Sequence, residues 1–236
     1  MFLTDCLSHA LDAVTPLVCA GCGAHGAAVC APCTAALLVP ARRVDEGARE
    51  LAALGIPAWS AAEYTGETRA LVLAWKRGRA DVVPAIELAA RELTDRWLAD
   101  PFAEYPAAGA VVVPAPSGWW RRARGLLVAG DLAGYVRDQL AVGGVPDLMT
   151  ADVLRRRRGG PGHLAGLTAK ARARARSHAV RVTGEVPPGD ILLVDDVLTT
   201  GATLAACVAA IRDHDPERHI LGVLVLAATP QRSRLR

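Results

Sequence analysis

The sequence predicts an α/β fold: a mostly parallel sheet with helices on both faces, preceded by a small module built around four cysteines. Three observations lead there. The runs "AGAVVVP", "ILLV" and "ILGVLVLA" are continuously apolar, as in strands buried on both sides. Stretches of helical periodicity separate them, and that alternation is how parallel sheets are built. Finally, Cys19, Cys22, Cys30 and Cys33 form two C-x2-C pairs seven residues apart.

The chain has 236 residues, enough for one sizeable α/β domain and an appendage. Its net charge of +3 is too mild to imply nucleic-acid binding by itself. The charge is unevenly spread, because Arg155 to Arg181 holds nine Lys or Arg and no acidic residue. No apolar run is long enough for a membrane span. The start, with Asp5 and Asp12 and no basic lead, does not read as a secretory signal. The expected location is cytoplasmic, where disulfides are rare and cysteines serve other ends.

In chain order, the cysteine module occupies 1–42 and the α/β domain 43–236. Two C-x2-C knuckles present four thiolates to one ion, a tetrahedral set suited to zinc. Four protein ligands leave no open position, so the expected zinc is structural. Cys6 and Cys207 stand apart and read as small buried apolar residues. "ARRVDEGARELAALGIP" reads as a short helical linker or the start of the next layer. Residues 67–98 show helical periodicity on both sides of a turn at Gly78, with Pro84 placed for a helix start. A strand ending at Pro114 and Pro116 follows, then an amphipathic helix over 124–140 and a loop at 141–147. After the basic, Gly-rich segment come a strand at 190–195, a helix from about Thr200 to Arg212, and a strand at 219–227.

The segment "ILLVDDVLTTGATL" carries the chemistry. Asp195 and Asp196 stand side by side where an apolar strand meets a turn that opens a helix. The first amides of that helix lack intrahelical partners, Thr199, Thr200 and Thr203 add hydroxyls, and Gly201 permits close approach. Such a turn cradles a phosphate dianion. Carboxylates a sugar's width away accept hydrogen bonds from vicinal hydroxyls and favour a ribosyl cation. The ligand that satisfies both halves is ribose 5-phosphate.

"VDDVLTTGAT" resembles the phosphoribosyl-pyrophosphate (PRPP) motif of type I phosphoribosyltransferases. The whole chain is similar to the bacterial ComF family, competence-associated phosphoribosyltransferase-like proteins. That resemblance rests on the cysteine module, "LAWKRGR", "VVVPAPSGWWRRARG" and "AGLT…R" at 165–172. It implies a type I phosphoribosyltransferase-like sheet and an enzyme that moves ribose 5-phosphate from PRPP to a nitrogen acceptor. Mg2+ would accompany PRPP, and pyrophosphate would be released. By position, Asp195 and Asp196 would be catalytic and bind the ribose hydroxyls, and Thr199, Thr200, Gly201, Ala202 and Thr203 would hold the 5-phosphate. Ala115, Pro116 and Ser117 would face pyrophosphate with Arg122 and Arg124. The segment 155–176, with Arg155, Arg156, Arg157, Arg158, Lys170 and Arg172, resembles a mobile loop that closes over PRPP. Where the family has Phe-Asn-Gln after Arg-Gly, this chain has Leu126-Leu127-Val128. Leu164 and Ala175 stand where its loop carries Gln and Asn.

A reading from another class is a PRPP- or nucleotide-binding module in DNA uptake, its arginines touching single-stranded DNA or a helicase-like ATPase. The basic run has few interleaved aromatics, which argues against a base-stacking platform.

Overall fold

The computed structural model describes residues 17–118, 124–157 and 179–230. Along the chain come α1 (Ala31–Leu37), β1 (Arg42–Arg43), α2 (Arg49–Ala52), β2 (Ala58–Glu63), α3 (Gly66–Lys76), α4 (Val83–Leu98) and β3 (Ala110–Pro114). Then follow α5 (Val128–Val142), β4 (Met149–Thr150), β5 (Leu154–Arg156), β6 (Val180–Val182), β7 (Asp190–Leu198), α6 (Ala202–His214) and β8 (Ile220–Ala228).

The main sheet has the order β1-β2-β8-β7-β3-β4. All its pairings are parallel except β1 with β2. The apolar runs explain why. Along β7, Leu192 and Val194 enter one core layer while Ile191 and Leu193 enter the other. In β3, Val112 and Val111 divide the same way. A strand with both faces buried needs helices on both faces, and these are supplied by α3, α4 and α5 on one side and α2 and α6 on the other. Pro84 lies in the first turn of α4, where its missing N–H costs nothing.

Several expectations are refined. β2 was not foreseen: "AWSAAE" has no β-branched residue, and the segment is a strand because it pairs with β8 and is buried over its first five residues. The stretch 41–57 is not one helical linker. It holds β1, a 3-10 turn at Asp45–Gly47 and the single turn α2. β7 runs on to Leu198, and α6 begins at Ala202.

The cysteine segment is seated on the α3–α4 side. Cys19, Cys33 and Leu37 are buried in the same layer as Leu71 and Trp75. Cys207 is fully buried on α6, as a small apolar residue would be. Among the described residues, no helix is long and apolar enough to cross a membrane.

β3 leads through α5 to β4 in one direction, while β7 leads through α6 to β8 in the other. The two helices therefore lie on opposite faces, and a crevice opens between the carboxyl ends of β3 and β7. Open α/β sheets bind ligands at such a reversal of strand order.

Candidate functional site

Asp195 and Asp196 lie within β7, whose register continues past them: Asp195 is opposite Val225 and Val197 opposite Ala227. Successive strand residues face opposite sides, so the two carboxylates point to different layers. Asp196 turns toward α3, where Lys76 Nζ stands 2.8 Å from its Oδ1. Both partners are well covered, with side chains 17% and 9% exposed. Asp195 turns toward α6. There burial, and then the Asp195 charge, push the Cys207 thiol up.

Asp195 Oδ1 accepts a 2.8 Å hydrogen bond from the amide of Asp196. Burial, reinforced by the neighbouring Asp196 charge, raises Asp195 to about 7. The Asp196 amide, Lys76 and Arg156 act in the opposite sense and do not cancel this.

Beyond the strand the chain makes the turn Thr199–Gly201 and enters α6. Gly201 is the left-handed N-cap, with φ of 80°. A Cβ there would meet the Ala48 Cβ at 3.0 Å and Leu51 Cδ1 at 3.2 Å, so α2 is packed where only glycine fits. Thr200 Oγ1 accepts a long bond, 3.4 Å, from the Ala202 amide. Thr199, Thr200, Gly201, Ala202 and Thr203 line a small cup that Asp195 also borders. Helix-start amides and hydroxyls in a cup form an anion cradle.

A larger cavity of about 250 Å3 joins these pieces. It brings together Asp195, Asp196, Thr199 and Thr203 with the turn Ala115, Pro116 and Ser117 after β3. Lys76, Tyr64, Ala129 and Arg156 complete its wall. Arg156 Nε donates to the Pro116 carbonyl at 3.2 Å, fastening β5 to that turn.

Of the segment expected to close over PRPP, the described residues include Arg155, Arg156 and Arg157, which stand in or just after a strand. Leu154–Arg156 pairs antiparallel with Val180–Val182, and the Arg157 amide donates to Ala179. Leu154 and Val180 are buried beneath, which anchors this hairpin. Arg155 is tied to Asp152 at 2.7 Å, and only Arg156 of the three lines the cavity. Arg124 is exposed in the turn before α5 and is not in the cavity wall. Arg122, Arg158, Lys170 and Arg172 lie outside the described residues, as does Cys6.

Lys76 and Tyr64 were not singled out as site residues from sequence. For Lys76 a signal existed, since "LAWKRGR" carries part of the family resemblance. Its partner, however, is distant in the chain, and spacing does not reveal contacts made across a sheet.

The four cysteine sulfurs lie within 4.8 Å of one another. Cys30 Sγ is 3.6 Å from both Cys19 Sγ and Cys22 Sγ. A tetrahedral zinc with bonds near 2.3 Å sets its sulfurs about 3.8 Å apart, so the donor set fits that ion. Gly21 is required by contact, since a Cβ there would sit 2.7 Å from Cys33 Sγ. Burial acts to raise the Cys19 thiol. The backbone donors of Cys22, Cys30 and Gly21 outweigh it and bring the thiol down to about 6. Burial and the neighbouring sulfurs push Cys33 up.

The fold is a doubly wound α/β sheet whose cavity joins two carboxylates, a helix start and two basic side chains at the reversal of strand order. Residues 122–235 match the family model of the phosphoribosyl transferase domain. No curated protein matches the chain. The match begins after β3; β2, α3 and the turn at Ala115–Ser117 precede it.

Proposed function

We propose that the chain binds PRPP and transfers its ribose 5-phosphate to a nitrogen acceptor, as a phosphoribosyltransferase of the ComF type. The observation that carries this reading is the meeting of two carboxylates and a helix-start anion cup in one cavity at the strand-order reversal. In this reading the cup of Thr199–Thr203 takes the 5-phosphate, and Asp195 and Asp196 accept hydrogen bonds from the ribose hydroxyls. The C1–oxygen bond to pyrophosphate breaks with its electron pair leaving on oxygen. A bond from the acceptor nitrogen to C1 forms, and the nitrogen's proton is released. The carboxylates stabilise positive charge building at the sugar ring, and the fixed cup prevents the phosphate from drifting. Mg2+ bound with PRPP would supply charge neutralisation for pyrophosphate. The cysteine cluster holds a structural zinc.

The test is calorimetric titration with PRPP and Mg2+ of the wild type and of Asp195→Ala/Asp196→Ala. Each lost charged hydrogen bond costs about 1.5–3 kcal/mol, so the double variant loses roughly 100-fold in affinity or more. Unchanged binding in the double variant would sink the site. A panel of nitrogenous bases and amines, scored for PRPP-dependent pyrophosphate release, then finds the acceptor.

A further inference from the structure

The pair between Lys76 and Asp196 is unlike the ion pairs of the surface. Arg91–Glu87 and Arg137–Asp138 join side chains that are 33% to 60% exposed. Lys76 and Asp196 are nearly covered and stand in a cavity wall. A buried pair contributes little net stability, because desolvating two charges offsets their attraction. Fold stability alone is thus a weak reason for its presence.

The cup and the larger cavity differ in chemistry. The cup from Val197 to Leu204 is bordered by Asp195, and among its described lining residues there is no basic side chain. Amides and hydroxyls do its work. The larger cavity adds two basic side chains, Lys76 and Arg156, and the turn Ala115–Ser117. The cup and the larger cavity share Asp195, Thr199 and Thr203, so a ligand that seats one phosphate in the cup continues into the cavity these two cations line. The ammonium has three donors, and Asp196 uses one of them.

We propose that Lys76 is a binding residue for the second anionic group of the ligand, with its ammonium shared between that group and Asp196. Resting on the phosphoribosyl reading, this assigns it to the pyrophosphate. As the C1–oxygen bond breaks, the electron pair collects on a pyrophosphate oxygen, and a fixed ammonium nearby stabilises that charge. Lys76 also holds one Asp196 oxygen, so the other oxygen keeps a defined direction toward the sugar. The residue lies on α3, outside the segment that matches the phosphoribosyl transferase domain. The binding site therefore extends beyond the matched part of the chain.

The experiment titrates wild type, Lys76→Met and Lys76→Arg with PRPP, inorganic pyrophosphate and ribose 5-phosphate, each with Mg2+. Lys76→Met is expected to weaken PRPP and pyrophosphate by about tenfold or more and ribose 5-phosphate by less than about threefold, with partial recovery in Lys76→Arg. Removing Lys76 leaves a covered carboxylate unpaired, so the same comparison is made between Asp196→Asn and Asp196→Asn/Lys76→Gln, where no such charge remains. A further, pyrophosphate-selective loss is expected there too. Equal losses for all three ligands would mean that Lys76 acts only through Asp196, and would overturn the proposal. Undiminished pyrophosphate binding would overturn it as well. Wild type that binds neither PRPP nor pyrophosphate would instead remove the phosphoribosyl reading on which it rests.

Discussion

The four cysteines come from fifteen consecutive residues, whereas the groups around Asp195 and Asp196 come from the ends of β2 and β3, from α3, β5 and β7, and from the starts of α5 and α6, between Tyr64 and Thr203. Both bring reactive side chains close together. In the first, two tight turns do the assembling, and amide donors such as Cys30 N to Cys19 Sγ at 3.3 Å are local. In the second, the sheet does it: parallel strands bring distant loops to one edge. The difference governs how each region fails. A local cluster depends on its ion, while a site at a sheet edge depends on packing behind it.

The largest expected effect is therefore at the cysteines. Cys33→Ser should reduce zinc from one per chain to a small fraction, measured by elemental analysis. Structural zinc contributes apparent binding energies of about 10–16 kcal/mol in small domains, so losing one ligand removes several kcal/mol. For a chain of this size that lowers the melting midpoint by roughly 10 °C or more. Because Cys19, Cys33 and Leu37 share a core layer with Leu71 and Trp75, the loss should reach α3 and not stay within the knuckles. Metal-free protein with an unchanged midpoint would break the comparison.

The same difference explains what could be read from the sequence. The knuckles announce themselves by spacing, and β3, β7 and β8 by apolar runs that only a double-faced sheet can bury. The anion cup was legible because Thr199 to Thr203 are contiguous. β2 was not, since its small residues carry no strand signal and its pairing with β8 supplies the reason for it. Lys76 was not placed in the site because its partner lies across the sheet. The short strand that holds Arg155 and Arg156 was not legible, since it exists through its pairing with Val180–Val182 and the burial of Leu154 and Val180.

A smaller effect tests the packing behind the cup. Gly201→Ala places a Cβ at positive φ and against Ala48 and Leu51. Strain of this kind costs about 1–3 kcal/mol, and α2 must shift to relieve it. The midpoint should fall by a few degrees, and affinity for ribose 5-phosphate should fall further than stability alone requires. If the variant binds ribose 5-phosphate as tightly as wild type, the turn does not hold the phosphate. The cysteine cluster should keep its zinc in this variant, which separates the two regions.

The smallest effect concerns the protonation of Asp195, raised to about 7 by burial first and the Asp196 charge second. In the unfolded chain an aspartate ionises near pH 4, about its ordinary value. A carboxyl whose pKa is raised by folding contributes its full stability below the unfolded value and loses it as pH climbs through the folded one. This group therefore favours the native state at pH 5 relative to pH 8. Asp195→Asn stays neutral throughout and should gain on wild type as pH rises, by on the order of 1–2 kcal/mol at pH 8 after discounting for its partial exposure. Ligand binding should run the other way, because only the carboxylate accepts the ribose hydroxyl without donating. Between pH 6 and pH 8 the ionised fraction rises about tenfold for a group titrating near 7, and PRPP affinity should follow. Titrations across that range on wild type and Asp195→Asn separate this group from the ligand's own phosphates, whose titration both proteins share. Parallel profiles for the two proteins would mean that Asp195 does not titrate in this range or does not meet the ligand, and would sink this prediction.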